Sequence, residues 1–317
     1  MPGTIRHRHN FDAGEVAATL RKAMAGFGTD EKAIIHCLGN HTCVQRIEAA
    51  KAYKTAFGKD LVADIKSELT GDFEEVCVAM LTPPRILDAR ELHDAISGAG
   101  TDETTIIEVL CTKNNTEIEE IKAVYKQEYG RELEKDLCGD TSGYFRRLMV
   151  SLMAAGRETE DWECDKERAR KDAKTFFEAG EARWGTEEAE LNQILCLRSR
   201  YHLLEVFHQF KEMSGKTIEE SIQNECSGSL QEGFLAIVQS IKDTPGFFAQ
   251  RIHKCVEGLG TSDSHLIRII VTRSEIDMEE IEHAYKAKYG KSLADEIESE
   301  CGGDYKRMLL ACIKLDD

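Results

Sequence analysis

The chain repeats itself four times, and no other feature narrows its possible folds as much. Gly28 returns as Gly100, Gly185 and Gly260, displaced by 72, 85 and 75 residues in turn. The same displacements carry Gly58 to Gly130, Gly215 and Gly290, Gly71 to Gly143, Gly228 and Gly303, and Leu38 to Leu110, Leu195 and Ile270. One register fits every marker, so the chain consists of four modules of roughly 70 residues. The longer middle displacement leaves room for a linker in the polar run from Arg157 to Glu163. The expected boundaries are a tail over 1–12, modules over 13–83, 84–155, 167–243 and 244–317, and a linker over 156–166.

Each module reads as five short helices. In the first, Val16, Leu20, Ala23 and Met24 share one helical face, and the glycines at 26 and 28 end it. Thr29 or Asp30 is suited to cap the next helix, which carries Ile34 and Leu38 one turn apart. A third helix runs to about Phe57 and stops at Gly58, a position made for a left-handed C-terminal cap; Lys59, Arg131, Lys216 and Lys291 follow the equivalent glycines. The fourth carries Leu61 and Ile65 and delivers Glu68 at its end, and the fifth starts near Asp72. No alternating run is long enough for a sheet, and four prolines leave helices uninterrupted. The fold class is all-α.

The chemistry sits where the first two helices of each module meet. The stretches Met24 to Glu31, Gly98 to Glu103, Arg183 to Glu188 and Gly258 to Asp263 are each followed, forty residues after the last glycine, by an acid: Glu68, Asp140, Glu225 and Glu300. A tight glycine turn aims main-chain carbonyls at one spot, and a carboxylate from a distant helix end completes a cage of oxygens. That is a site for a hard cation, and Ca2+ fits it. Solvated acids and glycines that merely turn the chain would account for one such loop. Four at a single spacing argue for a shared cation site.

The loop tips carry Phe27, Ala99, Trp184 and Leu259, apolar where tips are usually polar. An aromatic beside a charged site suits a membrane interface, Trp184 above all, whereas Phe27 and Leu259 could instead fold back as helix staples. With 41 basic and 58 acidic residues the net charge is −17, which excludes nonspecific nucleic-acid binding and would repel an anionic membrane unless a cation intervened. The N-terminus has no apolar leader, no run of about 18 apolar residues occurs, and Met1-Pro2 lacks the myristoylation glycine, so a cytoplasmic protein is expected. Eleven cysteines without a Cys-x-x-Cys pair read as reduced, mostly buried side chains. No nucleophile elbow, phosphate-binding loop or His-Glu-x-x-His motif is present, so no enzyme is expected.

With its loops Gly26-Phe27-Gly28-Thr29, Gly98-Ala99-Gly100-Thr101 and Gly258-Leu259-Gly260-Thr261, each with its acid forty residues on, the chain resembles an annexin from about residue 13 to the end. The resemblance implies four five-helix modules in a curved disc with calcium loops on the convex side. It also implies calcium-dependent, reversible binding to anionic, phosphatidylserine-like phospholipid. The implied ligands are the carbonyls of Met24, Gly26 and Gly28 with Glu68; Ile96, Gly98 and Gly100 with Asp140; and Val256, Gly258 and Gly260 with Glu300. Module three departs from the pattern and resembles the family's variant loop, with the carbonyls of Gly180, Arg183 and Gly185 and the Glu225 carboxylate. Thr29/Glu31, Thr101/Glu103 and Thr186/Glu188 resemble secondary calcium positions, with helix capping as the equal alternative.

Phe27, Trp184, Leu259 and Arg21 are the candidate membrane contacts, although a solvated helix arginine is the commoner case. Asp88, Glu91, Glu108, Lys113 and Arg268 fall at positions resembling the polar centre of the disc, where ion pairing explains them without conduction. The competing functional reading is a soluble calcium buffer, and a channel is the weakest. The tail offers no amphipathic helix for a dedicated protein partner, and His7 and His9 in it are expected to be mobile. Self-association on membranes stays open.

Overall fold

The computed structural model describes residues 3–26, 28–159, 164–181, 188–258 and 260–314, the side chains of 179–181 and 188 excepted. Twenty helices and no strand occur among them. Module one contains α1 (Ala13–Ala23), α2 (Glu31–Gly39), α3 (Cys43–Phe57), α4 (Leu61–Glu68) and α5 (Gly71–Met80). Module two contains α6 (Pro84–Ala95), α7 (Glu103–Thr112), α8 (Asn115–Tyr129), α9 (Leu133–Asp140) and α10 (Gly143–Met153). Module three runs through α11 (Lys166–Glu181), α12 (Glu188–Leu197), α13 (Arg200–Ser214), α14 (Ile218–Glu225) and α15 (Gly228–Lys242). Module four has α16 (Thr244–Val256), α17 (Asp263–Arg273), α18 (Met278–Tyr289), α19 (Leu293–Glu300) and α20 (Gly303–Ile313).

Local devices recur with the repeat. The third helix of every module ends on a left-handed glycine: Gly58, Gly130, Gly215 and Gly290 take φ of 64, 65, 70 and 73°. Each of the four donates its N–H to the carbonyl four residues back at 2.9 Å, closing the last turn. The chain can then reverse at once into the short fourth helix, whose final residue is in all four modules the acid singled out from spacing. Asp30 caps α2 as expected, accepting from the Ala33 N–H, and Asp102 does the same for α7.

The helices gather into two compact units. One takes in the chain up to Leu87 together with that from Pro245 onward, so modules one and four pack together; the other, Asp88–Thr244, joins modules two and three. In the first unit α2 lies on α20 and α17 on α5, over a core that includes Leu20, Ile34, Leu38, Met80, Ile270 and Leu309. The approach of α2 to α20 is close enough that a β-carbon on Gly39 would stand 2.8 Å from the Ala311 β-carbon. Buried Arg46 reaches across, binding the Met80 and Leu38 carbonyls at 2.6 and 3.3 Å and Glu275 of module four at 3.0 Å. In the second unit α7 packs on α15 and α10 on α12 around Ile106, Leu110, Leu148, Phe234 and Ile237. There buried Asp88 pairs with Lys113 at 2.9 Å, the ion pairing anticipated for this polar group.

The tail corrects an expectation, since from Gly3 it is held rather than loose. Ile5 is buried and donates its N–H to the Ser274 carbonyl at 3.0 Å, and the Thr4 hydroxyl binds the Ser274 and Cys312 carbonyls. Gln45 brackets the Arg8 backbone, accepting from its N–H at 3.2 Å and donating to its carbonyl at 2.8 Å. His7 and His9 therefore project, exposed, from a fixed backbone.

Candidate calcium and phospholipid site

The loop between the first two helices closes the same way in three modules. In module one the Asp30 N–H donates to the Ala23 carbonyl, in module two Asp102 to Ala95, and in module four Ser262 to Cys255, each at 2.8 Å. That bond bridges a short turn whose glycines take the left-handed side of φ: Gly26 and Gly28 at 109 and 89°, Gly258 and Gly260 at 110 and 87°. Module two differs, since only Gly100, at 108°, does so and Gly98 does not. A side chain at these angles would be strained, and the space where a β-carbon would stand is open at all of them. Met24 and Val256, both buried, anchor the turns to the core.

The four acids are exposed: Glu68, Asp140, Glu225 and Glu300 each end a helix, where the dipole disfavours an unpaired negative charge. Module two joins acid to loop directly. The Thr101 hydroxyl donates to the Asp140 carboxylate at 2.7 Å and to the Asp140 carbonyl at 3.1 Å, bringing two segments 39 residues apart together.

Beside this loop opens a cleft of about 360 Å³, lined by Ile96, Tyr125, Arg131, Lys135, Asp136 and Asp140 among others. Arg131 is held there by Asp136 through two bonds of 3.0 and 2.7 Å, and the buried Tyr125 hydroxyl donates to the same carboxylate at 2.8 Å. Burial, together with that carboxylate, pushes the Tyr125 hydroxyl far above its ordinary range, so it stays a donor. The arrangement recurs: in module one Lys59 and Tyr53 meet Asp64 at 3.7 and 2.7 Å, and in module four Lys291 meets Glu296 at 3.5 Å. Sequence reasoning registered these basic residues only as followers of cap glycines. The signal for a pinned cation beside each loop was the acid five residues after each of them, replaced in module three by Ser221.

The remaining candidates divide. Arg21, its side chain about one-third exposed, meets Asp64 at 3.4 Å inside module one. Glu31 and Glu103 stand in the first turns of α2 and α7, where an acid favours the helix by itself. In module four Thr261 donates to the Asp263 carboxylate at 2.7 and 2.8 Å. Gly180 belongs to the last turns of α11, and Glu188 begins α12. Arg183, Trp184, Gly185, Thr186, Phe27 and Leu259 lie outside the described residues.

Among the described residues no three His, Cys, Asp or Glu side chains stand close enough to hold a metal ion. A cation here has to draw on main-chain oxygens, which is what an open glycine turn beside one exposed carboxylate supplies, so these residues fit Ca2+. The sequence profile of the annexin family matches four times, over residues 15–80, 87–152, 171–237 and 247–312. The chain belongs to the annexin family. Annexin A4 of Mus musculus is 47% identical over 315 residues, covering 99% of this chain and 98% of that protein. The solved structure of annexin III superposes with a TM-score of 0.96 at 39% identity, covering 100% of this chain and 98% of that one. Calcium-bound annexin (Sm)1 superposes with a TM-score of 0.88 at 30% identity, covering 99% and 94%. Calcium-dependent phospholipid binding in general goes with membership of this family. No helix among the described residues of this annexin is long and apolar enough to cross a membrane.

Proposed function

We propose that this annexin binds anionic, phosphatidylserine-like membranes reversibly and only with calcium, as a non-catalytic cytoplasmic protein that organises membranes or their traffic. The ligands are the carbonyls of Met24, Gly26 and Gly28 with Glu68, those of Ile96, Gly98 and Gly100 with Asp140, and those of Val256, Gly258 and Gly260 with Glu300. In module three they are the carbonyls of Gly180, Arg183 and Gly185 with Glu225. The observation that carries this reading is the common 2.8 Å loop closure in modules one, two and four, with an acid ending the fourth helix in all of them.

Three neutral carbonyls and one carboxylate hold a divalent cation weakly, on the order of 10⁻⁴ to 10⁻³ M. Bound there, Ca2+ supplies a positive charge with open positions that a lipid phosphate fills. Asp140 gives up the Thr101 hydroxyl to do its part, and Arg131 and Lys135 line the route a headgroup would take. Affinities for calcium and for lipid rise together because each completes the other's site, and several loops add multivalency. Phe27, Trp184 and Leu259 enter the interface as apolar tips. A soluble buffer is disfavoured because it needs tight sites in the absence of lipid.

Co-sedimentation with phosphatidylserine/phosphatidylcholine vesicles tests the proposal. Binding is expected with calcium and anionic lipid together and with neither alone, and the combined change Glu68→Gln, Asp140→Asn, Glu300→Gln should raise the calcium needed at least about tenfold. No sedimentation at millimolar calcium, or tight calcium binding without vesicles, would overturn it.

A further inference from the structure

Cys164, at the end of the linker, stands against a buried relay of polar groups. Its Sγ is 4.0 Å from Nδ1 of His202, and Nε2 of that ring is 2.9 Å from a carboxylate oxygen of Asp172. Asp172 is held in turn by Arg198 at 2.7 Å, and Arg198 meets Glu158 at 3.4 Å. His202 and Asp172 are buried while Cys164 is half-buried, so of the thiol, the imidazole and the carboxylate behind it the thiol is the one open to solvent. Asp172 is acceptor-only when ionised, so it accepts a hydrogen bond from Nε2–H and leaves Nδ1 with its lone pair toward sulfur. The order is that of a nucleophile, its base, and a group that fixes the tautomer of the base.

We propose that Cys164 is a modification site for hydroperoxides, with His202 as its base and Asp172 as the residue that positions His202. Nδ1 accepts the thiol proton while Sγ attacks the distal peroxide oxygen. The S–O bond forms as the O–O bond breaks, and the departing oxygen takes the proton back from His202 and leaves as water or an alcohol. Sulfur gives up two electrons to become the sulfenic acid, and the peroxide is reduced by the same two.

The surroundings require an assisted thiol rather than a standing thiolate. Burial raises the Cys164 thiol, Glu205 and Asp165 raise it further, and Lys166 opposes them. The base must therefore act in the same step as the attack. The buried cysteines are worse placed: burial pushes Cys37 and Cys301 up to about 11 and Cys196 up to about 12. Cys138 and Cys226 share the partial exposure of Cys164 and serve as internal controls.

The test treats the full chain with micromolar hydrogen peroxide in the presence of a dimedone-type sulfenic-acid probe and maps labelled peptides by mass spectrometry. Labelling at Cys164 is expected to precede that at Cys138 and Cys226, and His202→Gln should slow it about tenfold or more. In the unaltered protein the pH profile of the rate at Cys164 should carry a second inflection beside that of the thiol. Equal labelling of the three cysteines would overturn the proposal, as would a native pH profile with a single thiol ionisation. The native profile decides the matter even where the substitution disturbs folding.

Discussion

At the scale of single residues, the acids of this protein do different work according to what surrounds them. Asp140 is exposed, and its nearest tie is one threonine hydroxyl, so it is available to a cation. Asp172 is buried. Burial alone would raise its pKa, but hydrogen bonds from Arg198 and His202 prevail and hold the carboxyl below its ordinary range. A depressed carboxylate stabilises the fold above its unfolded pKa of about 4, and that contribution is lost as pH falls through the lower folded value. Asp172→Asn should therefore cost about 1.5–3 kcal/mol at neutral pH by removing the nearer of the two carboxylates that hold Arg198, Glu158 remaining, with the gap to the unaltered protein narrowing below about pH 4. Thermal unfolding of both proteins at pH 7 and pH 3.5 checks this, and a gap independent of pH would count against the assignment. None of this was legible beforehand, because a polar residue in a helix looks the same in sequence whether it faces water or a buried arginine.

At the scale of elements, the caps and turns were the most readable part of the chain. Gly58 and its three counterparts are all left-handed caps, a requirement that only the local backbone imposes and glycine meets without strain. Gly58→Ala meets no neighbour within 4 Å, so its cost is torsional alone, about 1–2 kcal/mol. Urea unfolding of the variant should show that loss, with calcium-dependent vesicle binding unchanged. The acids at the fourth-helix ends were readable for the same reason, since a constant forty-residue spacing puts each at one place in a repeated pattern. Less readable was the pinning of Arg131 by Asp136 beside the module-two loop, which depends on α9 lying against the end of α8.

At the scale of the whole molecule, module one packs with module four in one compact unit, and modules two and three pair with each other in the other. Gly39 marks how tight the first pairing is. Gly39→Ala would drive two β-carbons to 2.8 Å where neither belongs to a flexible side chain, an overpacking that should cost about 1–3 kcal/mol. Adding Ala311→Gly should restore most of the loss, and a double variant no more stable than the single would mean that the strain lies elsewhere. The tail belongs to this scale as well, because Thr4 and Ile5 are held by Ser274 and Cys312, which are remote in sequence and adjacent only after folding.

The sequence by itself determined the all-α class, the four modules, the glycine caps and the acid that ends the fourth helix of each module, because repetition and backbone preference act over a few residues at a time. Tertiary structure alone decided which modules pair, where Arg46 finds Glu275, that the tail lies down along module four, and that Cys164 faces a histidine with a buried aspartate behind it. Those outcomes depend on which apolar faces and buried charges meet across the core. A period along the chain records that each face exists without recording what covers it.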